Sequence, residues 1–362
     1  MKIAVIGATG VVGGTIVRVL EERNVPVGTL LAYASRDRAD GVSFRGANVP
    51  VVAATRERLI ADRPDVAFFA SSDDASAELA GALAGAGTIV IDNSATFRMA
   101  EDVPLVVPEV NPHAVRADHR IFPVANCTAI VLTVALSPIE RAVGLRGVRV
   151  ATYQAVSGAG RAGLDALAGE ERGGAPDGTF AAPIHRNVVP QVGGYDGDGD
   201  TGEEKKVVAE TRKMLGRPDL MVAATTVRVP VMRAHSEAVF FETQVRTTLE
   251  ALRAALRDAP GVVLHERGIV TPRDVEDTDL VHVARLRAEP EDPTGTHFQM
   301  WVVGDQLRKG AATNAVQILE LLLRSRPALA LGHAQGDTNR TAAQNVTLSP
   351  SKGEGKQWIP TR

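Results

Sequence analysis

The chain holds a single cysteine among 362 residues, Cys127, in Ala125-Asn126-Cys127-Thr128, where an extended segment meets the first turn of an apolar helix. A helix N-terminus favours thiolate over thiol, so this position is expected to lower the thiol pKa and make Cys127 a nucleophile. A lone cysteine with a histidine elsewhere in the chain is the sequence signature of such covalent catalysis. His235, in the run Val227-Arg228-Val229-Pro230-Val231-Met232-Arg233-Ala234-His235, can take or give a proton near neutral pH. Arg228 in the same run offers a planar fork for a carboxylate. Gln154 enters a glycine turn, Ala155-Val156-Ser157-Gly158-Ala159-Gly160, whose bare backbone suits close approach to a ring.

A second constellation binds rather than reacts. Gly7-Ala8-Thr9-Gly10-Val11-Val12-Gly13 lies between the apolar run Ile3–Ile6 and a helical face at Ile16, Val17, Val19 and Leu20. Strand, glycine turn and helix are the context of a dinucleotide fingerprint. Gly7 allows the tight turn, Gly10 lets backbone approach a pyrophosphate, Gly13 lets the helix pack, and helix N–H groups face the phosphates. The next strand, Thr29–Ala34, runs into Ser35-Arg36-Asp37-Arg38. NAD sites place an acid there for the ribose hydroxyls, whereas a hydroxyl and two guanidiniums suit a 2′-phosphate, so NADP is expected. Whether Arg36 or Arg38 meets that phosphate is open.

These side chains need a frame. Buried-strand patterns recur at Val66–Ala70, Thr88–Asp92 and Leu105–Pro108, with a helix near 75–86, and strands alternating with helices predict a parallel sheet covered on both faces. The segment after Ala34 reads as a polar turn. Past residue 125, strand patterns recur near 147–156, 220–229, 237–246, 262–264, 280–287 and 298–303, with few helices between them. That half predicts a mixed or antiparallel sheet, an α+β domain. Gly193–Glu204, rich in Gly and Asp, reads as a surface loop. A helix near 311–323 ends the folded part, and 330–362 lacks any apolar period and is expected to be a disordered tail.

Composition sets the outer bounds. Apolar residues make up 44% and charged residues 23%, ordinary globular usage, while aromatics at 4% leave packing to Ala, Val and Leu. A net charge of −3, from 40 basic and 43 acidic residues, offers no field for nucleic acid. One cysteine excludes an intrachain disulfide and a cysteine zinc cluster. No apolar run approaches the ~18 residues of a membrane span, and Met1-Lys2-Ile3 runs straight into a strand, so a soluble cytoplasmic protein is expected. Asp196-x-Asp198-x-Asp200 lacks the glycine and glutamate that a calcium loop needs further on, and no metal is expected.

The chain resembles bacterial aspartate-β-semialdehyde dehydrogenase over about residues 1–325. The matching motifs are GATGVVG, DNSATFRM (Asp92–Met99), VPLVVPEVNP (Val103–Pro112), ANCT, TYQAVSGAG, EEKKVVAET, VRVPVMRAHSEA and DQLRKGAATNAVQ. The resemblance implies NADPH-dependent reductive dephosphorylation of L-aspartyl-4-phosphate to the semialdehyde, in lysine, threonine, methionine and diaminopimelate biosynthesis. It implies Cys127 as acyl-thioester nucleophile, His235 as acid/base and Gln154 as orienter of the acyl group. Arg228 would hold the substrate carboxylate and Arg98 and Lys206 the phosphate, with Asn126 and Glu203 beside them. Gly7, Thr9, Gly10, Val11, Val12, Gly13, Ser35, Arg36, Arg38, Ser157, Gly158 and Gln306 would line NADP. An acyl phosphate is charged at both ends, which agrees with cations at two places. The implied architecture is α/β: a Rossmann-type NADP domain over 1–125, completed by the helix near 307–325, and an α+β catalytic and dimerisation domain over 126–306. The assembly would be a homodimer or homotetramer. Its nearest rival, N-acetyl-glutamyl-phosphate reductase, usually has Gly before its cysteine and Pro-Thr shortly after, unlike Asn126-Cys127-Thr128. A non-catalytic NADP-binding relative would not need Cys127, Gln154, Arg228 and His235 together.

Overall fold

Ile3 to Ile6 is apolar without a break because the strand it forms is covered on both faces. The computed structural model describes residues 1–326 and residue 329. In chain order the first part comprises β1 (Lys2–Ile6), α1 (Val11–Glu22), β2 (Thr29–Ala34), β3 (Arg38–Phe44), β4 (Ala47–Ala53), α2 (Arg56–Asp62), β5 (Val66–Phe69), α3 (Asp73–Gly85), β6 (Ile89–Asp92) and β7 (Ile121–Pro123). Its seven strands run β3-β4-β2-β1-β5-β6-β7, parallel except for the antiparallel pair β3–β4. Strand order reverses at β1, so the crevice beyond its C-terminal end is where an α/β sheet binds ligand, and the Gly7 turn opens there.

The second part comprises α4 (Cys127–Val143), β8 (Leu145–Gln154), α5 (Gly160–Glu171), α6 (Gly202–Leu215), β9 (Met221–Arg228), β10 (His235–Thr243), α7 (Leu249–Arg257), β11 (Val262–His265), α8 (Pro272–Val275), β12 (Val281–Ala288), β13 (His297–Gly304) and α9 (Thr313–Ser325). Its six strands run β11-β12-β13-β10-β8-β9, antiparallel at the centre and parallel in the two outermost pairs. Helix α4 is buried from Thr128 to Ile139, apolar on every side, and packs against this sheet, α6 and α7. The opposite face of the sheet carries Tyr153, Ala238, Phe240 and Trp301, exposed or half-buried. Helix α9 returns to pack on α1 and β6, closing the first part.

Four expectations need correction. The presumed polar turn after Ala34 is the hairpin β3–β4, largely exposed and turning at Arg45-Gly46, both with positive φ (50° and 76°). Leu105–Pro108 is no strand, although 105–107 is buried: Asn111 Oδ1 accepts from Val107 N–H at 2.9 Å, and the amides of Asn111 and Asn314 donate to the carbonyls of Leu105 and Val106. Side-chain amides thus satisfy backbone that a sheet would otherwise pair. The loop expected to reach Glu204 ends at Thr201, whose capping box with Glu204 starts α6. The second half also holds more helix than its strand patterns implied, including α5, α6 and α7. The tail expected over 330–362 lies outside the described residues. No helix among the described residues is long and apolar enough to cross a membrane.

Candidate active site

Asn126 is the N-cap of α4: its Oδ1 accepts from the N–H groups of Thr128 (3.0 Å) and Ala129 (3.1 Å), fixing the helix start on which Cys127 stands. A π-helical turn at Arg308–Ala312 lies against that start, and a Cβ on Gly310 would sit 3.0 Å from Cys127 Cβ. The turn is pinned by Lys309, which is fully buried and donates to Glu109, Asn314 and Gln317.

Helix α6 presents Glu203, Lys206 and Glu210 on one stripe, at spacings of three and four residues. Glu203 Oε1 accepts from Asn126 Nδ2 (2.9 Å) and Gln154 Nε2 (3.1 Å). Gln154 in turn accepts from Thr152 Oγ1, so its amide is fixed at both ends. Glu210 Oε2 accepts from the Asn126 N–H at 2.5 Å, and Oε1 accepts from Arg98 Nη1 at 3.2 Å. Burial pushes the Glu210 carboxyl up, against the pull of Arg98 and of that N–H. Arg98 also donates from Nη2 to the Asn93 carbonyl, while its Nε is buried without a partner. Lys206 is exposed.

Ala155 uses both backbone polar groups. Its carbonyl accepts from Arg228 Nη1 (2.7 Å), and its N–H donates to His235 Nδ1 (3.1 Å). A neutral ring that accepts at Nδ1 carries its proton on Nε2, and that buried nitrogen has no partner. Burial and then Arg228 hold His235 well below its ordinary pKa, so the neutral form persists. A Cβ on Gly158 would lie 2.6 Å from Arg228 Nη1 and 3.3 Å from His235 Nε2, so bare backbone keeps open the space those two groups face. Ala234, with φ of 67°, delivers the chain into His235, and its N–H is held by Gln306 Oε1 at 2.8 Å. Gln306 also donates to Ser157 Oγ.

The expected low thiol pKa is not what this setting produces. Burial, followed by the Glu203 carboxylate, pushes Cys127 up to about 12, against Arg228 and Arg98. Desolvation outweighs the helix terminus here.

At the crevice of the first sheet a cavity of about 850 Å³ is lined by Thr9, Gly10, Val11, Arg38 and Ser157, among others. Gly7, Val12 and Gly13 frame the turn beneath it, while Ser35, Arg36, Gly158 and Gln306 lie outside the lining. The turn is closed by backbone: a Cβ on Gly7 would meet the Ala70 carbonyl oxygen at 2.2 Å, and one on Gly13 the Gly7 carbonyl oxygen at 2.1 Å. Helix α1 starts at Gly10 with no side-chain cap and no acid in its first turn, leaving N–H groups free for an anion. Arg38 donates to Thr9 Oγ1 over this turn (2.8 Å), whereas Asp37 is turned to Ala53 N–H and Arg58. Asp73, at the start of α3 after β5, accepts from the Ala95 N–H instead of facing the cavity. These features fit a dinucleotide. Sequence reasoning missed Glu210 and Ala155: one reads as surface charge on a helix, and the other acts through backbone alone.

Family models match in two stretches: "Semialdehyde dehydrogenase, NAD binding domain" over residues 2–118 and "Semialdehyde dehydrogenase, dimerisation domain" over 136–309. The chain is 42% identical over 333 residues to aspartate-semialdehyde dehydrogenase 2 of Vibrio cholerae, covering 89% of this chain and 98% of that one. It is 41% identical over 339 residues to the aspartate-semialdehyde dehydrogenase of Aquifex aeolicus, with the same coverage, 89% and 98%. The crystal structure of the Vibrio cholerae aspartate semialdehyde dehydrogenase II complexed with ASA superposes with a TM-score of 0.85 at 40% identity, covering 90% of this chain and 98% of that chain.

Proposed function

The chain belongs to the semialdehyde dehydrogenase family, and from that premise we propose that it reduces L-aspartyl-4-phosphate to L-aspartate-4-semialdehyde with NADPH, through a thioester on Cys127. The observation that carries this is the meeting, around one half-buried thiol, of a carboxylate fork (Arg228), a phosphate-suited cation (Arg98) and a neutral imidazole (His235). The relatives favour this over the N-acetyl-glutamyl-phosphate and non-catalytic readings.

Arg228 holds the substrate carboxylate, Arg98 and Lys206 hold the phosphate, and Asn126, Glu203 and Gln154 keep the acyl group over sulfur. As sulfur bonds to the acyl carbon, the carbon–oxygen bond to phosphate breaks. The departing phosphate carries off the thiol proton, because His235 already holds a proton on Nε2 and its Nδ1 is occupied. Bound NADPH supplies the hydride that reduces the acyl carbon. His235 Nε2–H donates to the thioester oxygen as charge develops there, the role of an oxyanion donor. Collapse breaks the carbon–sulfur bond, releases semialdehyde and leaves a thiolate that takes a solvent proton.

Arg38, over Thr9, is the residue for the 2′-phosphate. We read 1–125 with 307–325 as the nucleotide-binding unit and 126–306 as the catalytic and dimerisation unit. Two copies would join through the uncovered face of the second sheet. A free nucleophilic thiol needs a reducing compartment, which favours the cytoplasm.

The test is the phosphate-dependent rate of reduced cofactor formation with aspartate semialdehyde against N-acetylglutamate semialdehyde, with NADP and NAD compared. Aspartate semialdehyde with NADP should lead. Cys127→Ser should keep fold and cofactor binding but lose turnover, and a residual rate within about tenfold of wild type would sink the nucleophile assignment.

A further inference from the structure

Glu210 stands two turns along α6 from Glu203, and its side chain is 2% exposed. Both of its oxygens are in use, one on the guanidinium of Arg98 and one on the backbone N–H of Asn126, the residue before Cys127. We propose that Glu210 is a positioning residue that holds the phosphate-binding arginine and the nucleophile's helix start with one carboxylate, so that the two are set in register. The proposal rests on the reading of Arg98 and Cys127 given above.

The geometry requires a carboxylate. Both partners are donors, and a carboxylate is the side chain that accepts at each of two oxygens. An amide in its place must turn an NH₂ toward either Arg98 or the Asn126 N–H, donor against donor, and leave a buried guanidinium without its counter-ion. Aspartate keeps the charge but draws it back by a methylene toward α6. That helix cannot follow, because the capping box at Thr201 and the bond from Thr226 N–H to Glu204 Oε1 (2.8 Å) tie it to β9.

A second feature separates positioning from scaffolding. Asn126 keeps its cap bonds to Thr128 and Ala129 and its amide bond to Glu203 without any help from Glu210. The segment carrying Arg98 is held by Lys213, which donates to the carbonyls of Arg98 and Ala100 at 2.8 Å. Helix start and arginine loop are therefore each also tied to α6, through Glu203 and Lys213. What Glu210 alone supplies is a single side chain bonded at once to the Arg98 guanidinium and to the Asn126 N–H. The buried, unpartnered Nε leaves one edge of Arg98 free for an oxyanion while Glu210 holds another.

The experiment uses the full-length enzyme in the semialdehyde-oxidising direction with inorganic phosphate. Glu210→Gln should raise the KM for phosphate tenfold or more and leave the KM for semialdehyde within about threefold. It should also shift the pH profile of Cys127 alkylation by iodoacetamide, which a purely structural residue would not do. In a cycle with Arg98→Lys, the effects on phosphate KM should be less than multiplicative, because the two residues act as one unit. Multiplicative effects, or an unchanged alkylation profile, would overturn the proposal. If Glu210→Gln fails to fold, Glu210→Asp carries the same readouts. The wild-type protein offers a third: the Asn126 amide proton resonance should move with added phosphate, and a stationary resonance at saturating phosphate overturns the link. Failure of wild type to depend on phosphate at all would instead reject the reading of the reaction, and the Asn126 arm would still be visible in alkylation.

Discussion

In the proposed reaction Arg228 and Arg98 would carry the same charge to different ends of one small substrate, and their surroundings should make them fail differently. Arg228→Lys keeps the charge but loses the fork anchored on the Ala155 carbonyl, so the acyl carbon is no longer held in line with sulfur. A misplacement of ~1 Å can cost about a hundredfold, and the damage should fall on the semialdehyde kinetics. Arg98→Lys should instead raise the KM for phosphate. Measuring both KM values in each variant decides this, and a semialdehyde KM and kcat untouched by Arg228→Lys would remove the carboxylate role. The thiol gives a second prediction at this scale. With Cys127 pushed up to about 12, its thiolate fraction in the free enzyme grows about tenfold per pH unit through neutrality. Alkylation by iodoacetamide should therefore keep rising from pH 7 to 10, and a plateau near pH 8 would show an activated thiolate in the resting enzyme. The depressed His235 pKa works in the other sense: its ring is neutral throughout that range and adds no inflection near 6.5.

At the scale of elements, the glycine turn is where substitution is least forgiving. A Cβ at Gly13 would sit 2.1 Å from the Gly7 carbonyl oxygen, so Gly13→Ala must push α1 off β1. The expected cost is on the order of 3 kcal/mol of stability, with at least a tenfold loss in NADPH affinity, read by thermal melting and fluorescence titration. A normal melt with unchanged affinity would mean that the turn has slack. This turn was legible in the sequence because glycine spacing and strand–helix context point the same way. The hairpin β3–β4 was not, because an exposed edge pair lacks the apolar alternation of a half-buried strand, and its Arg45-Gly46 turn is a weaker signal than Asn-Gly. Leu105–Pro108 misled for the opposite reason, since an apolar run reports burial, and Asn111 and Asn314 can stand in for a neighbouring strand. Cys127 and His235 stood out by residue type, whereas Gln154 and Arg228 were raised only by the motifs around them. Glu210 did not, for only the fold turns that face of α6 inward.

On the proposed reading one sheet would serve two tasks for the whole molecule. The inner face of β8 and β10 carries Gln154 and His235, and the outer carries Tyr153 and Phe240, 39% and 37% exposed. Phe240→Glu should be tolerated by the isolated chain, because its cross-strand neighbours are Arg149 and Gln299. It should not be tolerated between two copies, where the carboxylate would be stripped of water at an apolar contact. Sedimentation should show smaller particles with an unchanged circular dichroism spectrum, and an unaltered sedimentation coefficient would place the contact elsewhere. The alternation that divides these tasks also sets a demand on folding. Side chains change face with every residue along a strand, so a slip of one position in β10 would send His235 outward and bring Ser236 in. Such a chain would keep its hydrogen-bonded sheet and its helices, yet be inert and mismatched to its partners at once. The irregular pairing at Glu242/Thr243 breaks the repeat that would let the strand slide, so accuracy of strand pairing is itself a condition of turnover.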